Sequence, residues 1–202
     1  MLAATNAAVL GIALWQRWPL VVLLWPYWVQ SVIIGWYSRR RILELREFSL
    51  ENTSGFDAGS NDATRHATAK FFTLHYGIFH LAYFVFLLVA TTGGAQGIPA
   101  ANIGLFDFVF LVALGASFAI THRASYARIR DSDAAGRPNI GGVMFLPYLR
   151  IVPMHIAIIF GIGMAQGTWS GVLLFGVLKT VADCAMQYIE YRITAPKLES
   201  AP

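Results

Sequence analysis

Five predominantly apolar stretches, each of about 20 residues, divide this chain at residues 19–37, 71–91, 104–121, 143–164 and 169–191. A helix rises about 1.5 Å per residue, so about 20 residues cross a hydrocarbon core of about 30 Å. Inside such a core each backbone N–H and C=O must be satisfied within the protein, which restricts a crossing chain to helices or a closed barrel. Barrel strands need only about 10 residues, so the lengths here point to helices. Residues 3–14 form a sixth, shorter apolar segment, joined to the next by Trp15-Gln16-Arg17-Trp18-Pro19; it spans if it is tilted into a thinned or protein-packed region. The expected fold is all-α, a polytopic membrane helix bundle of about six transmembrane helices in a single domain covering residues 1–202.

Composition agrees. The chain is 56% hydrophobic and 13% charged, with a mean hydropathy of +0.55. A soluble fold of this size would have to expose much of that apolar surface and aggregate, whereas a bilayer matches it. The net charge of +4 and pI near 9.4 do not indicate nucleic acid, because the basic residues are gathered in the connections between apolar segments. That is the pattern that sets membrane orientation. Connection 38–70 carries Arg39, Arg40, Arg41, Arg46, Arg65 and Lys70, connection 122–141 carries Arg123, Arg128, Arg130 and Arg137, and the tail carries Arg192 and Lys197. Arg17 stands alone on the opposite side, while Arg150 and Lys179 fall inside spans. Both connections and the C-terminus are therefore expected to be cytoplasmic, as is the N-terminus if the first segment crosses.

Residues 1–14 lack a basic start and a small-residue cleavage site, so they are expected to be a retained membrane segment rather than a cleaved signal. Trp15, Trp18, Trp25, Trp28 and Trp169 lie toward the outer side, as an aromatic belt would. Arg39–Phe48 places Leu43, Leu45 and Phe48 among charges and is suited to a membrane surface, whereas 51–62 is a Gly/Ser/Asn/Asp-rich loop. His122–Asp131 reads as a basic extension of the preceding helix and a lipid-headgroup anchor. The single Cys184 forms no internal disulfide, and the Gly163/Gly167 spacing is too common in membrane helices to assign a homo-oligomer.

Ionisable residues at bilayer depth cost about 2.5–3.5 kcal/mol each on insertion scales and call for a partner or a role. The third span contains His75 and His80, the fifth Arg150 and His155 between and after Pro147 and Pro153, and the sixth Lys179, Asp183, Gln187 and Glu190. The last four are spaced by four, four and three, so they share one helix face that is expected to point inward. With Gln30 of the second span, His75, His80, His155 and Asp183 fall at similar depths in the inner half of the bilayer. One reading pairs Lys179 with Asp183 purely to neutralise and orient the helix. Another makes His75, His80, His155 and Asp183 a transition-metal site, imidazole and carboxylate being the usual donors, with Asp183, Lys179 and Arg150 as candidate catalytic or charge-balancing groups. Residues five apart diverge by about 140° on a helix, so only one of His75 and His80 is expected to join His155 and Asp183. His66 and His122 lie at the boundary and read as ordinary interfacial histidines.

Four functions remain open at this point. They are a metal-dependent membrane enzyme acting on a lipid or small apolar ligand, a proton-coupled transporter or permease using the broken fifth span, a bis-histidine haem protein, and a structural or assembly subunit. No P-loop, CxxC, HExxH or Gly-x-Ser-x-Gly motif occurs, and five histidines are too few for the multi-box di-iron oxygenases.

These residues carry a family resemblance. Tyr27-Trp28 with Val29–Gly35, Phe71–Gly77, Tyr148–Ile151 through His155, and Leu178–Thr180 through Asp183 together resemble an uncharacterised family of bacterial multi-pass membrane proteins catalogued as a domain of unknown function (6498). The resemblance covers most of the chain from the second span onward. It implies residence in the bacterial cytoplasmic (inner) membrane and draws attention to His75, Arg150, His155, Lys179 and Asp183, with no known activity to transfer. The family pattern often has an acidic residue after Tyr-Trp where this chain has Gln30, which argues against a role needing a carboxylate on the second span.

Overall fold

A computed structural model describes residues 2–51, 55, 57–93, 103–164 and 169–194. Outside the described side chains lie Trp169 and Glu190, together with Arg192 and Lys197 of the tail, and the Gly163/Gly167 spacing cannot be followed because Gly167 is not described. Among the described residues seven α-helices follow one another: α1 (Leu2–Trp15), α2 (Leu20–Glu44), α3 (Asn61–Thr91), α4 (Leu105–Ala135), α5 (Ile140–Phe145), α6 (Ile151–Met164) and α7 (Trp169–Thr194). A 3-10 turn, Leu146–Arg150, joins α5 to α6 into one run. No strand forms among the described residues; one isolated bridge pairs Ser49 with Asn139. Among the described residues five segments are long and apolar enough to cross a membrane, namely Leu20–Glu44, Asn61–Thr91, Leu105–Ala135, Ile140–Ile159 and Ser170–Ile189. The all-helical bundle expected from the apolar segments is therefore present, with α1 as a shorter apolar helix.

The helix ends follow from local chemistry. Ser60 caps α3 by accepting from the Ala63 N–H, and Asp62 adds negative charge to the first turn, where the helix dipole favours it. Asp107 accepts from the Gly104 N–H at the start of α4. Asn139 caps α5 through Gly142 N–H at 2.8 Å, while its amide donates to the Glu51 carbonyl. Pro147 sits in the first turn of the 3-10 segment, where its missing N–H leaves no bond unmade, while Pro153 falls in the first turn of α6.

Helix α2 is the hub, packed against α3, α4, α5, α6 and α7. Its contact with α3 is close enough that a Cβ on Gly35 would lie 2.6 Å from Tyr76 Cε1. Helix α1 lies on α7, where a Cβ on Gly176 would meet Leu10 at 2.8 Å. Large apolar side chains stay exposed along α3 and α4, among them Ile78, Leu81, Phe106, Phe108, Val109 and Ile120. Such a surface suits a lipid solvent and is unusual for water.

Two departures from the sequence reading concern the connections. Helix α2 continues to Glu44, and Ile42, Leu45 and Phe48 are buried in the protein rather than laid on a surface. Phe48 and Ser49 are pinned there by Arg137 Nε donating to the Phe48 carbonyl and by backbone bonds between Ser49 and both Pro138 and Ile140. Trp18 is likewise buried, its indole N–H held at 2.8 Å by Asp107. Trp25 donates to Thr91, and Trp28 to the His80 carbonyl. Helix α4 does extend past its apolar part as expected, running without a break to Ala135.

Candidate functional site

Two cations and one carboxylate meet inside the bundle. Arg150, at the end of the 3-10 turn, donates through Nη1 to Asp183 Oδ1 at 2.6 Å and through Nη2 to Gln30 Oε1 at 3.0 Å. Lys179, one turn before Asp183 on α7, donates to Asp183 Oδ2 at 2.5 Å and to Asn6 Oδ1 at 2.7 Å. The Asn6 amide returns a bond to Asp183 Oδ2 at 3.1 Å. Four elements thus converge, α1 with Asn6, α2 with Gln30, the turn with Arg150 and α7 with the Lys179/Asp183 pair.

Aromatic rings complete the enclosure. The Arg150 guanidinium lies 4.7 Å from the Tyr27 ring centroid and 5.7 Å from that of Phe118, with Lys179 Nζ 5.5 Å from Tyr27. Rings of this kind attract a cation through their negative faces. Tyr27 in turn donates its hydroxyl to the Arg150 carbonyl at 3.0 Å, holding the turn in register with α2. Arg150 and Asp183 are almost fully buried. Arg150 Nε is buried without a hydrogen-bond partner, so the guanidinium has donor capacity left over.

The charge count is unbalanced among the described side chains: Arg150 and Lys179 against Asp183. A cleft of about 70 Å³ reaches this surplus, bordered by Asn6, Tyr27, Gln30 and Lys179 and walled by apolar residues including Leu10 and Phe175. That space equals about two water volumes.

The four proposed metal donors are not gathered into one set. Among the described residues no group of three or more His, Cys, Asp and Glu side chains is arranged to hold a metal ion. His75 and His155 are exposed on the outer side of α3 and α6. Their Nδ1 atoms contact the Tyr148 and Tyr83 hydroxyls respectively. His80 is buried and turned back to the Tyr76 carbonyl at 2.9 Å, stacked on the Tyr76 ring. His75 and His80 do diverge, as a separation of five on a helix requires, but neither joins His155 and Asp183. Asp183 faces Arg150 and Lys179 instead of a histidine. Gln187 is exposed while Asp183 is buried, so the polar face of α7 does not turn inward as a whole. His66 is exposed near Asp62, while His122 stacks on Phe118 and meets Tyr37 edge-on.

Asn6 was not singled out in the sequence, and Tyr27 and Tyr148 entered only through the family resemblance, with no role at the cluster. An amide in an otherwise apolar run is a usable signal for Asn6, since burying it unbonded is costly. The tyrosines carry no such signal because aromatic residues are abundant in every span.

The fold and this cluster define an all-helical bundle with spans apolar enough for a membrane and a charged centre. The chain belongs to the family described as "Family of unknown function (DUF6498)", whose model matches residues 1–200. Neither a curated protein nor a solved structure matches it.

Proposed function

We propose that this is a multi-pass protein of the bacterial cytoplasmic membrane, a permease in which Arg150, Lys179 and Asp183 form a proton-coupled site for a small organic anion. The observation that carries this reading is the surplus cation facing the cleft. A cluster that served only to pair helices has no need of a second cation, because a buried charge without a counter-charge costs several kcal/mol. An anionic ligand supplies the missing charge.

Proton coupling follows from competition. Asp183 occupies both Arg150 and Lys179 while ionised. Protonating it weakens both bonds and frees two donors for an incoming carboxylate. Loss of that proton returns Asp183 to the cations and displaces the ligand. The broken run at Leu146–Arg150 supplies a place where α5 and α6 can move relative to each other. The basic connections, with Arg17 opposed to them, support an orientation with 38–70 and 122–141 on the cytoplasmic side.

The test is uptake of small monocarboxylates by proteoliposomes under an imposed pH gradient. Flux that disappears in Lys179→Met, with the purified variant still folded, is the expected result. Absence of gradient-driven flux across a broad panel, together with no stabilisation of the protein by any of these anions, would overturn the reading.

A further inference from the structure

A second cationic recess lies away from this site, where the ends of α2 and α4 meet. It has about 370 Å³ of space, and Arg40, Arg123 and Arg130 stand around Tyr37 and Tyr126 with no carboxylate in its lining. The tyrosine rings pack with centroids 4.8 Å apart, and the Arg40 guanidinium lies 5.7 Å from the Tyr126 centroid. Arg40 is oriented by Glu44 through Nε at 2.6 Å. The Tyr126 hydroxyl donates to the other Glu44 oxygen at 2.9 Å, so this carboxylate fixes the floor from behind. Arg123 has no carboxylate within ion-pair distance among the described residues, and the ion pair of Arg130 is with the exposed Asp131 at 3.4 Å.

The helix below the recess continues the pattern. Val109, Val112, Ala116, Ile120, Arg123, Ala127 and Arg130 are spaced by three and four, so they form one stripe along α4. All seven are exposed. The stripe is apolar for four residues, which at about 1.5 Å per residue cover about 16 Å between Val109 and Ile120. It turns cationic one turn later. An apolar length ending in two arginines matches an acyl chain ending in a phosphate, and arginine forks suit phosphate oxygens better than lysine does.

We infer that the Arg40/Arg123/Arg130 recess binds the phosphate of an anionic phospholipid whose acyl chains lie along the Val109–Ile120 stripe of α4. The assignment rests on the membrane reading of the chain but not on the permease site. Arg40 and Arg130 close the recess from the two helices, so an occupied site ties α2 to α4. Zwitterionic lipid has the same tails and phosphate but adds a cation that the three arginines repel.

The experiment uses the full chain in detergent, titrated with phosphatidylglycerol, phosphatidylcholine or glycerol phosphate and followed by thermal unfolding and native mass spectrometry. Phosphatidylglycerol is expected to raise the unfolding temperature and to remain bound through detergent removal. Arg123→Gln/Arg130→Gln should weaken its binding on the order of tenfold per lost charged contact, and Arg128→Gln, exposed elsewhere on α4, should leave it unchanged. Equal stabilisation by phosphatidylcholine overturns the anionic assignment. Binding of glycerol phosphate as tight as that of the lipid overturns the acyl part and makes this a soluble-phosphate site. An effect of Arg128→Gln equal to that of the double variant reduces it to diffuse surface charge and also overturns it. None of these outcomes bears on anion flux, so the recess and the permease site fail separately.

Discussion

Arg41 and Asp133, 92 positions apart, meet as a two-pronged pair in which the arginine Nε and Nη2 donate to separate carboxylate oxygens at 2.6 and 2.8 Å. Both side chains are about nine-tenths buried, so this fork locks the end of α2 to the end of α4. Arg41→Ala strands a buried carboxylate and is expected to cost roughly 3–5 kcal/mol, whereas replacing both partners with apolar residues of similar size costs far less. Thermal unfolding of the single and double variants checks this. Identical losses in the two would show that the pairing contributes nothing.

The central cluster predicts an asymmetry of the same kind. Asp183→Asn leaves Arg150 and Lys179 facing each other without an anion, while Lys179→Met leaves the neutral Arg150–Asp183 pair and one orphaned Asn6 oxygen. The first is expected to cost roughly 3–5 kcal/mol and the second about 1–3 kcal/mol. Denaturation of the two purified variants should rank them in that order, and the reverse ranking would contradict the charge count.

Tight packing of α1 on α7 gives a third expectation. Gly176→Val drives a side chain into Leu10, which lies 2.8 Å from the position of an added Cβ. Overpacking of this kind costs about 1–3 kcal/mol. Combining it with Leu10→Ala should recover part of the loss, because the two residues share one space. Additive effects in the double variant would mean that the helices do not meet there.

The histidines predict a result with metals. His75 and His155 face outward onto tyrosine hydroxyls, and Asp183 is held by two cations. Zinc or nickel at one equivalent is therefore expected to leave the unfolding temperature unchanged, and His155→Ala should leave the metal content of the purified protein unaltered. One equivalent of metal lost in that variant would require His155 and Asp183 to have exchanged their partners.

Much of the bundle could be read from hydropathy because a 20-residue apolar run has few soluble alternatives. The members of the central cluster were also legible, since Arg150, Lys179 and Asp183 are costly wherever they are buried. The Lys179–Asp183 pair was legible from its spacing of four, whereas the bonds of Arg150 to Asp183 and Gln30 were not. Depth along each helix is set by 1.5 Å steps and could be compared across spans, but rotation about each axis depends on packing. That rotation sent His75 and His155 outward and left Gln187 exposed where Asp183 is buried. The surface role expected of Leu45 and Phe48 failed for a related reason: charges on either side of an apolar residue do not reveal whether protein or lipid covers it.

Asn6 and Lys179 are 173 positions apart, yet they share a hydrogen bond in the central cluster. In chain order Arg150 therefore precedes its carboxylate, with the Gln30 amide and the Tyr27 and Phe118 rings as its earlier side-chain partners among those described. Helix α7 supplies Asp183 and, through Lys179 and Asp183, holds Asn6 of α1. Two distant segments thus close the cluster together: until residue 183 has been made, Arg150 lacks its counter-charge.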